Sequence, residues 1–320
     1  MSALPPPRFV AANGIRMAVY EQGKGLPVVL CHGFPELAYS WRHQLPALAA
    51  AGFRAIAPDQ RGYGLTDRPA AVEAYDMAHL TGDLVGLLDA LEIEKAVFCG
   101  HDWGGLITWQ MPLRHPDRVA GVIGLCTPFI PRLSADPIAL MRAAYGDDMY
   151  IVAFQQPEVA DRALAADVGR SVDFFLRRGG APDPQGERQE LLKALAAGNW
   201  PGETFLSLKE RAFYVESFSR TGFTGGINWY RNFTRNWTAS AGLRQWIDVP
   251  SLMISAADDP FLPPSMAAGM AKYVGDLERH VIPACGHWIQ QEQPAQTNRL
   301  MLDWLRRRVA DLGPGDLGRL

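Results

Sequence analysis

The sequence has few cysteines, almost no charge imbalance and no long apolar segment, and each shortage argues against a class of protein. Its 320 residues carry a formal net charge of −3, which gives no electrostatic footprint for DNA, RNA or an anionic membrane surface. The cysteines are too widely spaced for a C-x-x-C motif or a clustered metal site. We therefore predict reduced core cysteines at Cys31, Cys99, Cys126 and Cys285.

Signals for export, membrane insertion and cofactor binding are also missing. The N-terminus, "MSALPPPRFV", lacks a basic start followed by an apolar stretch of about 7–15 residues, and no window reaches the roughly 18 apolar residues of a spanning helix. We therefore expect a cytoplasmic protein without membrane association. The histidines form no H-E-x-x-H pattern, so we expect no metal. The phosphate-binding motifs G-x-G-x-x-G and G-x-x-x-x-G-K are also absent, so we expect no cofactor.

What the sequence does contain is a regular alternation of short apolar runs and longer helical patterns. This alternation indicates an α/β fold with a mostly parallel sheet flanked by helices. Helices are predicted at Met77–Leu91 and Pro294–Val309, the latter with arginines in its last turn. Seven strands are predicted, at Arg16–Glu21, Pro27–His32, Arg54–Asp59, Lys95–Gly100, Val119–Thr127, Pro250–Ala257 and Glu278–Pro283.

The alternation stops between about Ser134 and Trp246, where strand-like runs give way to aromatics and Gly/Pro turns. We predict a mainly helical cap at residues 135–246, inserted between strands of an α/β core formed by residues 1–134 and 247–320. An insertion between parallel strands emerges at their carboxyl edge, where sites of α/β proteins form. The cap is therefore expected to cover the functional site.

The segment "VFCGHDWGG" fits the strand-turn-helix pattern of a nucleophile elbow, G-x-S-x-G, with Asp102 in the serine position. Gly100 and Gly104 suit a turn that leaves no room for side chains. A carboxylate is ionised at neutral pH and can attack a saturated carbon to form an ester without a base. The alternative is that Asp102 merely caps the following helix.

An elbow predicts an acid and then a histidine further along the chain. The segment "DDPF" follows one predicted strand and offers Asp258 or Asp259, of which we favour Asp259. The segment "ACGHW" follows the last predicted strand and places His287 on a glycine turn. His287 would activate water against an ester on Asp102, and the aspartate would orient the imidazole and stabilise its charged form.

Hydrolysis of an ester also needs two backbone donors for its oxyanion. The loop "HGFPE" follows the strand "PVVLC" and would bring the amide of Phe34 beside the amide of Trp103, the residue after the nucleophile. We expect His101 to be structural, because neighbours of the nucleophile point the other way. The loop "DQRGYGLTDRP" is also interpreted as structural.

The motifs "HGFPE", "GHDWGG" and "GHW", with "YIVAFQQPEV" and "GGINWYRN", resemble the epoxide hydrolases of the α/β-hydrolase fold over nearly the whole chain. The resemblance implies hydrolysis of an epoxide to a vicinal diol through a hydroxyalkyl ester on the nucleophilic aspartate. It also implies that two cap tyrosines, Tyr150 and Tyr230, donate hydrogen bonds to the epoxide oxygen. One departure is Glu158, which stands where the family commonly has glycine.

The expected partners are a small-molecule epoxide and water, without nucleic acid. A monomer and a homodimer both remain open, as do detoxification and a catabolic role. Pocket walls are expected from aromatic residues that could equally belong to the core, namely Trp41, Phe154, Trp229 and Trp288.

Two other functions compete with this interpretation. Haloalkane and haloacid dehalogenases of the same fold also use an aspartate, but they need a halide-stabilising group. Phe34 stands where haloalkane dehalogenases typically use asparagine, and Trp103 stands where fluoroacetate enzymes carry arginine. The second competitor is a non-catalytic ligand-binding protein, which would be expected to lose a catalytic group.

Overall fold

A computed structural model of the chain describes residues 4–178 and 190–309. Its strands form one eight-stranded sheet with the order β1-β2-β4-β3-β5-β6-β7-β8. β1 and β2 pair antiparallel, β2 pairs antiparallel with β4, and all other neighbours are parallel. The predicted α/β fold with a mostly parallel sheet is therefore confirmed. The strands are β1 (Arg8–Ala12), β2 (Ile15–Gln22), β3 (Pro27–Cys31), β4 (Arg54–Pro58), β5 (Ala96–His101), β6 (Val119–Leu125), β7 (Ser251–Ala256) and β8 (Leu277–Ile282).

Helices cover both faces of this sheet, and the two predicted helices lie within one residue of their expected ends. No helix in the described residues is long and apolar enough to cross a membrane. The helices are α1 (Gln44–Ala50), α2 (Met77–Ala90), α3 (Trp103–Arg114), α4 (Pro137–Tyr145), α5 (Tyr150–Ala153), α6 (Val159–Ala165), α7 (Val168–Phe175), α8 (Leu191–Ala197), α9 (Leu208–Thr221), α10 (Thr224–Arg231), α11 (Phe233–Ala239), α12 (Ile289–Glu292) and α13 (Pro294–Arg308).

The apolar runs of the central strands explain why the sheet needs cover on both faces. Every residue of β3, β5, β6 and β7 is buried. Successive side chains of a strand point to opposite faces, so Val29 and Phe98 join one core cluster whereas Val28 and Val97 join the other. The second cluster also contains side chains of α1 and α13, such as Leu45.

The interval between β6 and β7 is helical, as predicted. In its described residues it contains α4 to α11 and no strand longer than the isolated bridge between Arg177 and Thr204. Its aromatic side chains pack at the carboxyl ends of the parallel strands, where Phe154 and Tyr230 contact Phe34 of the loop after β3. These helices therefore pack over the carboxyl edge of the sheet.

Candidate active site

Asp102 occupies a one-residue turn between β5 and α3. Its dihedral angles, φ 52° and ψ −123°, are strained for a residue with a side chain, as expected of a nucleophile elbow. The side chain makes no capping hydrogen bond to α3, so the helix-cap alternative fails. Instead, Oδ1 accepts a hydrogen bond from the amide of Phe34 at 2.8 Å, and 19% of the side chain remains exposed.

Two glycines allow the backbone to approach this closely. A β carbon on Gly33 would lie 2.4 Å from the β carbon of Asp102, which would displace the carboxylate. A β carbon on Gly104 would lie 2.0 Å from the carbonyl oxygen of Cys31, because α3 begins directly against the end of β3. The elbow therefore depends on the absence of side chains on both sides of the nucleophile position.

His287 lies in the loop after β8 and contacts two aspartates. Its Nδ1 is 2.9 Å from Oδ2 of Asp259, and its Nε2 is 3.7 Å from Oδ2 of Asp102. The other oxygen of Asp259 accepts two backbone amides of the following turn at 2.9 and 3.0 Å. Asp258 is exposed, so Asp259 is the residue of this pair that orients the imidazole in the structure.

The charges in this cluster shift one another's pKa values. Burial alone would raise the pKa of both aspartates, but the adjacent imidazole of His287 outweighs burial: the pKa of Asp259 falls to about 2, and that of Asp102 falls below its ordinary value. Burial would likewise lower the pKa of His287, yet the two carboxylates raise it well above 6.5. These shifts favour the charged forms of both carboxylates and of the imidazole.

Of the two amides expected to hold an oxyanion, that of Phe34 lies beside the carboxylate of Asp102. The Phe34 amide already donates to it, as described above. Trp103 is the first residue of α3, where backbone N–H groups have no acceptor within the helix. The Phe34 loop is held by the next loop, because the amide of Gln60 donates to Nε2 of His32 at 3.0 Å. The loop "DQRGYGLTDRP" therefore supports the site from behind.

The rings of Tyr150 on α5 and Tyr230 on α10 pack edge to face, with their centroids 5.9 Å apart. The ring of Tyr230 also lies 5.0 Å from that of Trp103 and 5.4 Å from that of Phe34. Burial raises the pKa of both tyrosines, and the negative charge of Asp102 raises both further. Both hydroxyls therefore stay protonated at neutral pH and can donate hydrogen bonds near the carboxylate.

Two of the predicted pocket aromatics lie against this group. The ring centroid of Phe154 is 5.6 Å from that of Tyr150 and 5.1 Å from that of Tyr230. The ring of Trp288 is 4.8 Å from the imidazole of His287. These rings supply apolar walls around charged groups, which strengthens electrostatic interactions between them.

The other two predicted pocket aromatics are placed differently. Trp229 is fully buried behind Trp103, and its indole nitrogen donates to the carbonyl of Arg61 at 3.2 Å. The structure does not bring Trp41 to the site. Trp41 ends the short 3₁₀ helix after the "HGFPE" loop and is fully buried with Leu45 in the core cluster on the α1 and α13 face. That helix turns the chain away from the site, so Trp41 is a core residue.

A buried carboxylate behind the site has no counterpart in the sequence-based predictions. Glu36 is completely buried, and its Oε2 accepts from the amide of Gly33 at 3.0 Å and from Nδ1 of His101 at 2.8 Å. Its Oε1 accepts the side-chain amides of Gln290 and Gln291 at 2.8 and 2.9 Å. The only signal in the sequence was the position of Glu36 beside a predicted oxyanion loop. His101 has the structural role that was expected.

The fold and the elbow together define a member of the α/β-hydrolase fold family. The model of the family described as alpha/beta hydrolase fold matches residues 27–294. Among curated relatives, "Epoxide hydrolase A" of Mycobacterium tuberculosis (strain ATCC 25618 / H37Rv) is 45% identical over 316 residues, which cover 94% of this chain and 97% of that protein. The chain therefore belongs to the epoxide hydrolases of this fold.

Solved structures agree with this assignment. Epoxide Hydrolase A from Mycobacterium thermoresistibile superposes with a TM-score of 0.83 at 42% identity, covering 94% of this chain and 98% of that one. An epoxide hydrolase from an endophytic Streptomyces superposes with a TM-score of 0.87 at 38% identity, covering 94% and 95%. These relatives favour epoxide hydrolysis over the dehalogenase and the binding protein considered above.

Proposed function

We propose that the chain hydrolyses epoxides to vicinal diols in two steps, through a hydroxyalkyl ester on Asp102. In the first step the carboxylate attacks an oxirane carbon, the carbon–oxygen bond of the ring breaks, and its electron pair passes to the oxygen, which then takes up a proton from solvent. The observation that carries the proposal is the cluster itself. An ionised carboxylate on a strained elbow is contacted by an imidazole that a second carboxylate, Asp259, orients.

The second step is hydrolysis of this ester. His287 takes a proton from water, the resulting hydroxide attacks the carboxyl carbon of Asp102, and the amides of Phe34 and Trp103 stabilise the oxyanion. The acyl carbon–oxygen bond then breaks, the leaving alkoxide takes the remaining proton of the attacking water, and the diol leaves while Asp102 returns to its carboxylate form. The diol therefore carries one oxygen that belonged to Asp102, and Asp102 regains an oxygen from water.

Tyr150 and Tyr230 are proposed to donate hydrogen bonds to the ring oxygen as negative charge develops on it. Their ring separation of 5.9 Å and their raised pKa values support this role, since both hydroxyls stay protonated. Donors that are already oriented stabilise the transition state more than the ground state, so they lower the barrier to ring opening.

We also propose that residues 135–246 act as a cap over the core formed by residues 1–134 and 247–320. The contacts of Phe154 and Tyr230 with Phe34 support a cap that closes the site from water. We propose a small neutral epoxide as substrate and the cytoplasm as the place of action, in keeping with four cysteines that are all free and buried. For the oligomeric state we propose a monomer or a homodimer, and for the biological role we propose detoxification.

The proposed function is tested by trapping the ester. A His287→Gln variant should accept the alkyl group from styrene oxide but release it slowly, so intact mass spectrometry should detect an adduct with the mass of the substrate on the peptide that contains Asp102. An Asp102→Ala variant should show neither the adduct nor the diol. Continued diol formation by freshly prepared Asp102→Ala protein would disprove the assignment.

A further inference from the structure

The loop that carries His287 lies between β8 and α12 and contains neither helix nor strand. Within it, the amide of Gly286 donates to Oε2 of Glu292 at 3.1 Å, and the amide of Trp288 donates to Oε1 of Glu292 at 3.0 Å. One carboxylate therefore holds the amides of the residues on either side of His287. A β carbon on Gly286 would lie 2.9 Å from Oε1, so the carboxylate fits directly against the loop.

The remaining contacts of His287 constrain different atoms. Asp259 orients the imidazole through Nδ1, whereas the carbonyl oxygen of His287 accepts from the amide of Ile289 at 2.9 Å and from Nε2 of His101 at 2.7 Å. Amide groups in an irregular loop need an acceptor from outside the loop. Glu292 is the group that meets this need for the residues flanking His287.

We propose that Glu292 is a positioning residue for the hydrolysis step, because it fixes the peptide frame from which His287 reaches the attacking water. The inference rests on the proposed roles of Asp102 and His287. Ring opening needs the carboxylate of Asp102 and the tyrosine donors, whereas hydrolysis also needs His287 as a base. Loss of the Glu292 clamp therefore slows the second step and spares the first.

Glu292→Gln tests this proposal with little change in shape. Glutamine keeps one acceptor oxygen but turns an NH₂ group toward the other amide, so one of the two hydrogen bonds is lost. Excess enzyme is mixed rapidly with styrene oxide, samples are quenched, and intact mass spectrometry follows ester formation and decay. We expect the hydrolysis rate constant to fall about 10- to 100-fold, since a small misplacement of a catalytic group costs this much. The rate constant of ring opening should stay within about twofold of wild type, because the clamp does not act on that step.

Two further variants make the outcome unambiguous. Asp303→Asn removes an exposed carboxylate from α13 and should change neither rate constant. Glu292→Asp keeps both acceptor oxygens on a shorter side chain, and we expect the same selective slowing to a smaller extent. The amplitude of ester formation counts folded sites, so partial unfolding lowers the amplitude without changing the ratio of the two rate constants.

The proposal fails if the Glu292 variants hydrolyse the ester at the wild-type rate, or if both steps slow equally. Failure of the proposed function looks different, because the wild-type enzyme would then form no ester at all. That result would overturn the role of Asp102 and this inference together.

Discussion

The proposed formation of an ester on Asp102 removes a negative charge beside His287, the base of the hydrolysis step. In the free enzyme two carboxylates hold the pKa of His287 well above its usual value, which favours the charged imidazole, a form that cannot act as a base. Ester formation neutralises Asp102 and leaves Asp259 as the only one of the two carboxylates that still carries charge. The pKa of His287 therefore falls in the ester intermediate, at the stage of the reaction that needs a base. Ester formation thus prepares His287 for hydrolysis.

The two tyrosine donors should act on ring opening alone. Tyr150→Phe or Tyr230→Phe removes one hydrogen bond to the developing alkoxide and should slow ester formation by about 100-fold. Ester hydrolysis should be unchanged within about twofold, because the ring oxygen has already become a hydroxyl. Rapid-quench mass spectrometry measures both steps. Tyr145→Phe, which changes a 58% exposed tyrosine of the same helical segment, serves as the control. Unchanged ester formation in both variants would contradict the role of the tyrosines.

The carboxyl of Asp259 should make stability fall in acid. Its pKa is about 2 in the folded protein and roughly 3.9 in an unfolded chain, so it stabilises the fold at neutral pH and loses this contribution as the pH falls toward 2. The shift corresponds to about 2–3 kcal/mol. Between pH 5 and 2, Asp259→Asn should therefore lose less unfolding free energy than wild type in denaturant titrations. Asp258→Asn, at an exposed position, should follow wild type, and parallel curves for all three proteins would refute the assignment.

Single residues differ in how far the sequence identifies them. Asp102 and His287 follow predicted strands, so a fold with parallel strands brings their positions to one edge. Glu36 and Glu292 could not be identified in this way, because their roles depend on hydrogen bonds to loop amides and buried side chains that no spacing rule specifies. The sequence left Trp41 open between pocket and core for the same reason, since a short 3₁₀ helix decides which face of the sheet it reaches.

Among elements, the seven predicted strands were confirmed to within two residues at each end. The central ones, such as β3 and β6, were identifiable because buried parallel strands are continuous apolar runs. The eighth strand, β1, was missed. It pairs with β2 through a tight turn at Asn13 and Gly14, both with positive φ, and the pair "NG" is a strong hairpin signal. Only two residues of β1 are buried, so its apolar pattern is weak even though its turn signal is clear.

The junction between β3 and α3 should tolerate no side chain at Gly104. An alanine β carbon there would lie 2.0 Å from the carbonyl oxygen of Cys31, so backbone atoms would have to move. We expect Gly104→Ala to lower the Tm by about 5–10 °C and to abolish ester formation. Gly269→Ala is the matched control, since its β carbon would meet no atom within 4 Å and its Tm should not fall. Equal melting temperatures for the two variants would contradict this account of the elbow.

On the scale of the whole molecule, polar contacts connect the helical segment to the sheet-bearing core. Arg42 is 3% exposed, and its Nε donates to Oε1 of Glu210 on α9 at 2.6 Å. The same guanidinium donates through Nη1 to Gln291, which also binds Glu36 behind the site. A second link is the indole of Trp288, which donates to the carbonyl of Phe175 at 2.7 Å. Hydrogen bonds thus link the helical segment to the His287 loop and to the residues behind the site.

Arg42→Met should weaken this connection. Methionine has a similar length but removes the hydrogen bonds of the guanidinium to Glu210 and to the amide oxygen of Gln291, at a cost of about 2–4 kcal/mol in unfolding free energy. Arg244→Met, which breaks an exposed pair with Asp248, should cost less than about 0.5 kcal/mol. Chemical denaturation measures both values. Similar losses in the two variants would mean that the buried pair does not hold the two parts together.

In the proposed mechanism an oxygen of Asp102 enters the product, and a single turnover in ¹⁸O-water distinguishes this route from direct attack by water. Excess enzyme would be mixed with styrene oxide, and label would be measured in the first diol and in the peptide that contains Asp102. The account predicts ¹⁸O in the peptide and none in the first diol. Label in that diol without label in the peptide would mean that water attacks the epoxide directly, and the ester mechanism would be wrong.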